Sequence, residues 1–246
     1  MDATSFQVKA AVFNINGQVL TPNLTVSETA ASNFFGTADL GLTALTDGGF
    51  VVTWQDDNNQ DYFRVGSASG FSGHQVALPG TTMTDVAALA DGGFVATYFR
   101  NDGGAGYFAR VYDSSGAAVS PEFLAGPSFG FHSVTGLEDG RFMIVYEGAG
   151  GIAGRVWNAD GTPESDEFTI SSSAGGTRPD AETLADGTVA VSWQNGEDIF
   201  YTVVDPREDG IQLAGTPVDD SYTGTRFDDL AILGDGNDAI AAGDGV

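Results

Sequence analysis

Four copies of one phrase constrain this chain more than any other feature. They are Leu45-Thr-Asp-Gly-Gly-Phe-Val-Val-Thr-Trp54, Leu89-Ala-Asp-Gly-Gly-Phe-Val-Ala-Thr-Tyr98, Leu137-Glu-Asp-Gly-Arg-Phe-Met-Ile-Val-Tyr146 and Leu184-Ala-Asp-Gly-Thr-Val-Ala-Val-Ser-Trp193. Their aspartates, Asp47, Asp91, Asp139 and Asp186, lie 44, 48 and 47 residues apart. Each Asp-Gly pair separates two apolar runs, and glycine there supplies the positive φ of a tight hairpin turn. The residues after the turn are β-branched and aromatic, which is strand composition.

A second strand follows each Trp or Tyr: Phe63-Arg-Val65, Phe108 to Asp113, Ala153 to Asn158 and Phe200 to Asp205. Turn-rich stretches such as Ser114-Ser-Gly116 and Asp160-Gly-Thr162 come next, then short strands around Phe123, Phe168 and Leu213. That makes four strands per repeat, with no helical period and 35 glycines among 246 residues. A lone four-stranded sheet cannot bury both faces, whereas stacked ones can. The spacing therefore predicts an all-β fold, a β-propeller of four to five four-stranded blades. A β-sandwich or an open stack of hairpins is the alternative, which the regular spacing disfavours. Blades are expected over about 37–80, 81–126, 128–173 and 177–218. The stretch Val8 to Gly17 aligns with the second half of a repeat, so 6–28 is a half-blade. It either completes a ring with C-terminal strands or leaves an edge for self-association with another chain.

Charge removes several function classes. There are 34 acidic side chains against 9 basic ones, a net charge of −25, yet 41 % of residues are hydrophobic and 17 are Phe. A core is therefore expected, not a disordered acidic tail. Phosphate backbones and anionic membrane surfaces are repelled, so no nucleic-acid partner is expected. No apolar run has the length of a membrane span, so no membrane insertion is expected either. The first twenty residues lack a basic head, a long apolar centre and a small-residue cleavage site, the marks of an N-terminal secretory signal. Without cysteine there are no disulfides, thiol catalysis or thiolate metal sites.

Near Asp219 the pattern changes to a nine-residue period. On the pattern G-G-x-G-x-D-x-U-x, Leu233 to Ala241 carries Gly234, Gly236, Asp238 and Ile240 in register. Gly224 to Ile232 keeps Gly224 and Asp229 but places Phe227 where the fourth-position glycine belongs, and a third copy begins at Ala242 with Gly243 and Gly245. Within a tail of residues 219–246, Gly224 to Val246 thus resembles the RTX nonapeptide repeat of haemolysin-type calcium-binding proteins. The resemblance covers about 23 residues, and Gly-Asp-Gly-Asn-Asp is its most specific part. It implies a short C-terminal β-roll with calcium between stacked turns. The implied ligands are Asp229, Asp235, Asp238 and Asp244, with carbonyls of Gly234, Gly236 and Gly243; Asp219-Asp220 reads as a linker. The phrases Leu-Ala-Asp-Gly-Gly-Phe-Val-x-Thr-Tyr and Ala-Arg-Val-Tyr-Asp-x-x-Gly resemble repeats that accompany RTX tails in large secreted proteobacterial proteins. That resemblance implies type I secretion to an extracellular location without an N-terminal signal. It also implies a tail that folds where calcium is abundant.

Catalytic constellations are scarce. The two histidines, His74 and His132, are far apart, and no Gly-x-Ser-x-Gly elbow or His-x-x-x-His spacing exists. Asp85 and Asp180 share a register four residues before Leu89 and Leu184, with His132 and Ser133 near the corresponding place in another repeat. On the innermost strand of a blade these residues form a possible channel ligand site. Paired carboxylates there would suit glycoside hydrolysis and would equally suit a bound cation or hydrated turns. Trp54, Tyr98, Tyr146 and Trp193 are expected as inter-blade core, and Arg64, Arg110 and Arg155 as partners of neighbouring-blade carboxylates. The cluster Asp56 to Asp61 lacks the Gly and terminal Glu of an EF-hand and is expected to be a solvated connection. Two functions stand: a binding or structural module for a glycan, cell-surface component or protein, and a carbohydrate-active enzyme using channel carboxylates.

Overall fold

The computed structural model describes residues 7–28, 40–56, 58–71, 73–79, 82–100, 106–126, 130–207, 212–214, 216–223 and 230–241. All described elements are strands, and no helix among these residues is long and apolar enough to cross a membrane. A two-stranded hairpin, β1 (Lys9–Phe13) and β2 (Val19–Thr25), opens the chain. The first larger sheet orders β3 (Gly41–Ala44), β4 (Phe50–Gln55), β5 (Asp61–Ser67) and β6 (Gly70–Phe71), with β7 (Val76–Ala77) also paired to β5. The second contains β8 (Thr82–Ala88), β9 (Phe94–Arg100), β10 (Gly106–Tyr112) and β11 (Phe123–Gly126) in sequential antiparallel order. The third repeats that order with β12 (His132–Gly136), β13 (Phe142–Gly148), β14 (Gly151–Trp157) and β15 (Phe168–Ser171). A three-stranded sheet follows, of β16 (Gly176–Thr183), β17 (Val189–Asn195) and β18 (Asp198–Val204).

The repeated Asp-Gly is a self-contained turn. Leu45, Leu89, Leu137 and Leu184 each donate their N–H across it to a carbonyl, at 2.7 to 2.9 Å. Asp47, Asp91, Asp139 and Asp186 each accept, on Oδ1, the N–H two residues on, at 2.8 to 3.1 Å. The glycine takes φ between 81° and 94° in all four turns, which a side chain would oppose. The aspartate is present because its short carboxylate closes the turn that the glycine opens.

The second sheet buries one face against its predecessor and the other against its successor. From β9, Phe94, Ala96 and Tyr98 join Val51, Phe63 and Val65 of the sheet before. Val95 and Phe99 of the same strand join Val134, Ile144 and Tyr146 of the sheet after. This alternation is the period of two that turns one apolar strand into both halves of two cores. Trp54, Tyr98, Tyr146 and Trp193 are buried, as expected for the repeated aromatic. The hydroxyls of Tyr98 and Tyr146 donate to Glu122 and Glu167, so a polar tip is satisfied at the edge of each core.

By compactness the chain divides into one unit of Met1–Glu182 with Val191–Thr202 and another of Thr183–Ala190 with Val203–Val246. In the second unit β19 (Gln212–Ala214) pairs in parallel with β21 (Leu230–Ile232), and β20 (Ser221–Thr223) with β22 (Ala239–Ala241). Partners such as Gln212 and Leu230, or Ser221 and Ala239, are 18 residues apart, twice the nonapeptide period. The strand at Leu213, expected as the fourth of a blade, is instead a rung of this coil, because its parallel partner recurs in the same period.

Two smaller expectations change. Arg110 and Arg155 donate Nε to the carbonyls of Ser120 and Ser165, at 3.1 and 2.8 Å. Those carbonyls lie in the connections between the third and fourth strands, β10 to β11 and β14 to β15, so the arginines clamp their own sheet. Arg64 alone of the three reaches a carboxylate of the adjoining hairpin, Glu28 at 3.2 Å. Asp56 closes its loop by accepting the N–H groups of Asn58 and Gln60, at 2.8 and 2.9 Å, which makes it a turn residue.

Candidate functional site at the inner strands

The position four residues before the repeat leucine is Gly41, Asp85, Ser133 and Asp180, on β3, β8, β12 and β16. All four line one cavity of about 310 Å³, together with their predecessors Leu40, Thr84, His132 and Pro179 and with Met83 and Phe131. Equal register on equivalent strands is what brings them together, since each sheet offers the same step of its first strand. Asp85, Asp180 and His132 therefore share a site although 95 residues separate the two aspartates in the chain. Phe131 also lines it, and the buried Thr97 bonds His132. Phe131 was legible only as the neighbour of His132, and Thr97 only through its strand pairing with Asp85.

Asp85 is tied on both oxygens. Oδ1 accepts the N–H of Val86 at 2.8 Å; Oδ2 accepts the N–H of Val134 at 2.9 Å and the hydroxyl of Ser133 at 3.1 Å. Two of these donors lie on β12, so the carboxylate staples consecutive sheets. Burial nevertheless dominates and raises its pKa, with the nearby Asp180 charge adding in the same direction. The exposed Asp180 lies with Oδ1 3.4 Å from the Ser133 hydroxyl. Ser133 thus sits between two carboxylates and has one proton to offer them.

His132 is buried, with Nε2 2.7 Å from the Thr97 hydroxyl and its ring centroid 4.2 Å from that of Tyr107. Burial pushes its pKa down to about 3, so the imidazole is neutral at physiological pH. Ser133 is bonded to carboxylates and His132 to Thr97, so the pair does not form an activated nucleophile. Phe131, 38 % exposed, has the Arg178 guanidinium 5.0 Å from its ring centroid. The Arg178 N–H is held by Glu147 Oε1 at 2.9 Å. Met83 and Arg178 both adopt positive φ, 59° and 53°, so the backbone is strained on two sides of the cavity.

The tail residues implied as calcium ligands fall into two groups. Asp229, Gly243 and Asp244 lie outside the described residues. Gly234, Asp235, Gly236 and Asp238 lie on the parallel coil, with Gly234 and Gly236 at φ 78° and 136°. Asp238 Oδ1 accepts the Asp220 N–H at 2.9 Å, and Asp219 Oδ1 accepts the Asn237 N–H at 2.8 Å. Asp219 and Asp220, read as linker, thus tie one rung to the next. A Cβ on Gly236 would lie 2.7 Å from the carbonyl carbon of Val218, so only glycine permits this stacking. These oxygen donors suit a hard cation such as Ca²⁺. Among the described residues, however, no three His, Asp or Glu side chains converge as a metal cluster.

No protein-family model matches the chain, and no curated protein matches it. Solved structures do. NanB sialidase from Streptococcus pneumoniae matches with a TM-score of 0.54 at 13 % identity, over 74 % of this chain and 33 % of that one. Aleuria aurantia lectin in complex with α-methyl-L-fucoside matches at 0.52 and 18 %, over 82 % of this chain and 72 % of that one. AofleA from Arthrobotrys oligospora matches at 0.54 and 16 %, over 82 % and 63 %. The fold is a β-propeller. The sandwich alternative falls away, and the larger sheets are its blades. This chain spans about a third of the sialidase's length. At these identities the likeness is one of backbone, and the chemistry of the propeller rests on its own residues.

Proposed function

We propose that the chain is a carbohydrate-binding propeller module whose ligand enters the inner-strand cavity. One observation carries the reading: Asp85, Ser133, Asp180 and the Phe131 ring converge on a pocket of about 310 Å³. That size is at the lower end of small-molecule sites, roughly 300–1,000 Å³. Carboxylates and a hydroxyl beside an aromatic ring match a sugar, whose hydroxyls donate and accept while its C–H face is apolar. Asp180 and Ser133 supply hydrogen bonds that reorganise at little cost, whereas Asp85 orients Ser133 through its fixed bonds to the backbone. Names among the structural neighbours lean the same way, with a lectin in complex with Fucα1-6GlcNAc and a sialidase.

The coil is assigned to calcium. Asp229, Asp235, Asp238 and Asp244, with the carbonyls of Gly234, Gly236 and Gly243, would hold the ion between rungs, and bound Ca²⁺ would contribute folding free energy to the tail. Export by a type I route to the extracellular space completes the reading; it rests on the RTX resemblance.

A carbohydrate-active enzyme is the second reading. The carboxyl of Asp85, raised by burial, favours it, because a carboxylic acid held protonated above its usual range can act as a general acid. Titrating wild type and Asp180→Asn with a glycan panel headed by α-methyl-L-fucoside, while assaying hydrolysis, tests both. Binding without turnover, weakened about tenfold by the substitution, is the expected result. Turnover lost in Asp180→Asn would favour the enzyme, and no saturable glycan binding by wild type would overturn the module.

A further inference from the structure

The side chains lining the inner-strand cavity have a one-sided hydrogen-bonding chemistry. Thr84, Ser133 and His132 carry protons to donate, and each proton is already placed. The Thr84 hydroxyl donates to Asp61 Oδ2 at 2.5 Å. The Ser133 hydroxyl is 3.1 Å from Asp85 Oδ2 and 3.4 Å from Asp180 Oδ1, and its one proton serves one of them. His132 is settled by its neighbour. The Thr97 hydroxyl donates to the Asp85 carbonyl at 3.3 Å, so its oxygen accepts from His132 Nε2 at 2.7 Å. The neutral imidazole therefore carries its proton on Nε2, and Nδ1 is a bare acceptor. That Nδ1 is buried, on a residue only 9 % exposed, and has no hydrogen-bond partner among the described residues.

Acceptors, by contrast, are in surplus. With the Ser133 proton on the nearer oxygen, that of Asp85, the exposed Asp180 carboxylate is left without a donor and the Ser133 lone pairs are free. No lysine or arginine lines the cavity among the described residues. Arg178, two residues before Asp180, lays its guanidinium over the Phe131 ring. Two carboxylates thus flank one hydroxyl with no cation in the cavity wall.

We infer that the sugar taken by this cavity is an amino sugar, with its ammonium on Asp180 and the Ser133 oxygen. This rests on the carbohydrate reading above and names the ligand class within it. An ammonium brings three donors, no acceptor and a positive charge. It thereby supplies both things the cavity lacks, donors and a counter-charge. A hydroxyl in its place brings one donor, and an acetamido group brings no charge. A uronic or sialic acid meets Asp85 and Asp180 with like charge and finds no free side-chain donor. The C–H face of the ring lies on Phe131, which is 38 % exposed.

The test titrates the whole protein at pH 6, where an amine is protonated, with methyl glycosides of one ring. These are the glucosaminide, its N-acetyl form, the glucoside and the glucuronide. Calorimetry is expected to show the glucosaminide binding about tenfold tighter than the N-acetyl sugar and the glucoside, with no saturation by the glucuronide. Asp180→Asn is expected to bring the glucosaminide down to the level of the glucoside. Raising salt from about 0.05 to about 0.5 M should shrink the wild-type preference, and this carries the same test if the variant melts early. Equal binding of glucosaminide and glucoside overturns the inference and leaves the carbohydrate module standing. So does a preference that survives both Asp180→Asn and high salt. Isopropylamine binding as tightly as the glucosaminide would make this a site for amines alone and overturn the sugar assignment. No saturable binding by any glycan fails the carbohydrate reading itself.

Discussion

Acidification from pH 7 to pH 5 should destabilise the propeller through one side chain. His132 is buried, bonded through Nε2 to Thr97 and packed on Tyr107, and burial lowers its pKa from 6.5 to about 3. Folding therefore prefers the neutral imidazole. The sign follows: a group depressed in the folded state contributes stability that is present above its unfolded pKa and is lost as pH falls through the folded value. Each pH unit below the unfolded pKa costs about 1.4 kcal/mol, so pH 5 removes about 2 kcal/mol. That is a sizeable part of a typical stability of about 5–15 kcal/mol. Asp85 acts oppositely, because its raised pKa makes ionisation unfavourable in the fold and its contribution improves on acidification. The comparison is therefore made against His132→Asn, in which the Asp85 contribution cancels. Urea unfolding at pH 7, 6 and 5, at fixed Ca²⁺, should show the wild-type advantage over the variant shrinking by about 2 kcal/mol. Parallel pH dependences, or a folded His132 imidazole that titrates near 6.5 by NMR, would refute the reasoning.

Three further outcomes follow from the geometry. Gly136→Ala places a Cβ 1.9 Å from the Ala88 carbonyl oxygen, where two inner strands nearly touch; thermal unfolding should show a loss of about 1–3 kcal/mol. Tyr98→Phe removes a 2.6 Å bond to Glu122 and should cost about 1–3 kcal/mol in urea unfolding, with the fold retained by circular dichroism. Millimolar Ca²⁺ should raise the melting temperature and a chelator lower it, with the response reduced by Asp238→Asn; a melt indifferent to calcium would remove the ion from the coil.

What the sequence discloses is what short-range chemistry decides. Asp47-Gly48 and its three counterparts carry their own turn, so the hairpins and the stacked blades are visible in the letters. The shared register of Asp85 and Asp180 is visible for the same reason, since equal steps on equivalent strands point to one place. The fate of Leu213 is not, because a three-residue apolar segment says nothing about its partner, and the one it takes lies 18 residues on. Nor are the partners of Arg110 and Arg155 visible: their acceptors are carbonyls, which every residue has. Asp85 shows where local reading ends. Its bonds to Val134 and Ser133 depend on the stagger between two sheets, so a residue legible as a candidate ligand proves also to be an inter-blade staple.

Whether the inner-strand cavity takes carbohydrate is tested most directly by amide chemical shifts during titration with the glycan panel headed by α-methyl-L-fucoside. Saturable shifts centred on Ser133, Val134 and Asp180, with saturation about tenfold weaker in Asp180→Asn, are the predicted result. Saturation mapping to other strands, or no saturation with any glycan, would contradict the assignment of the cavity.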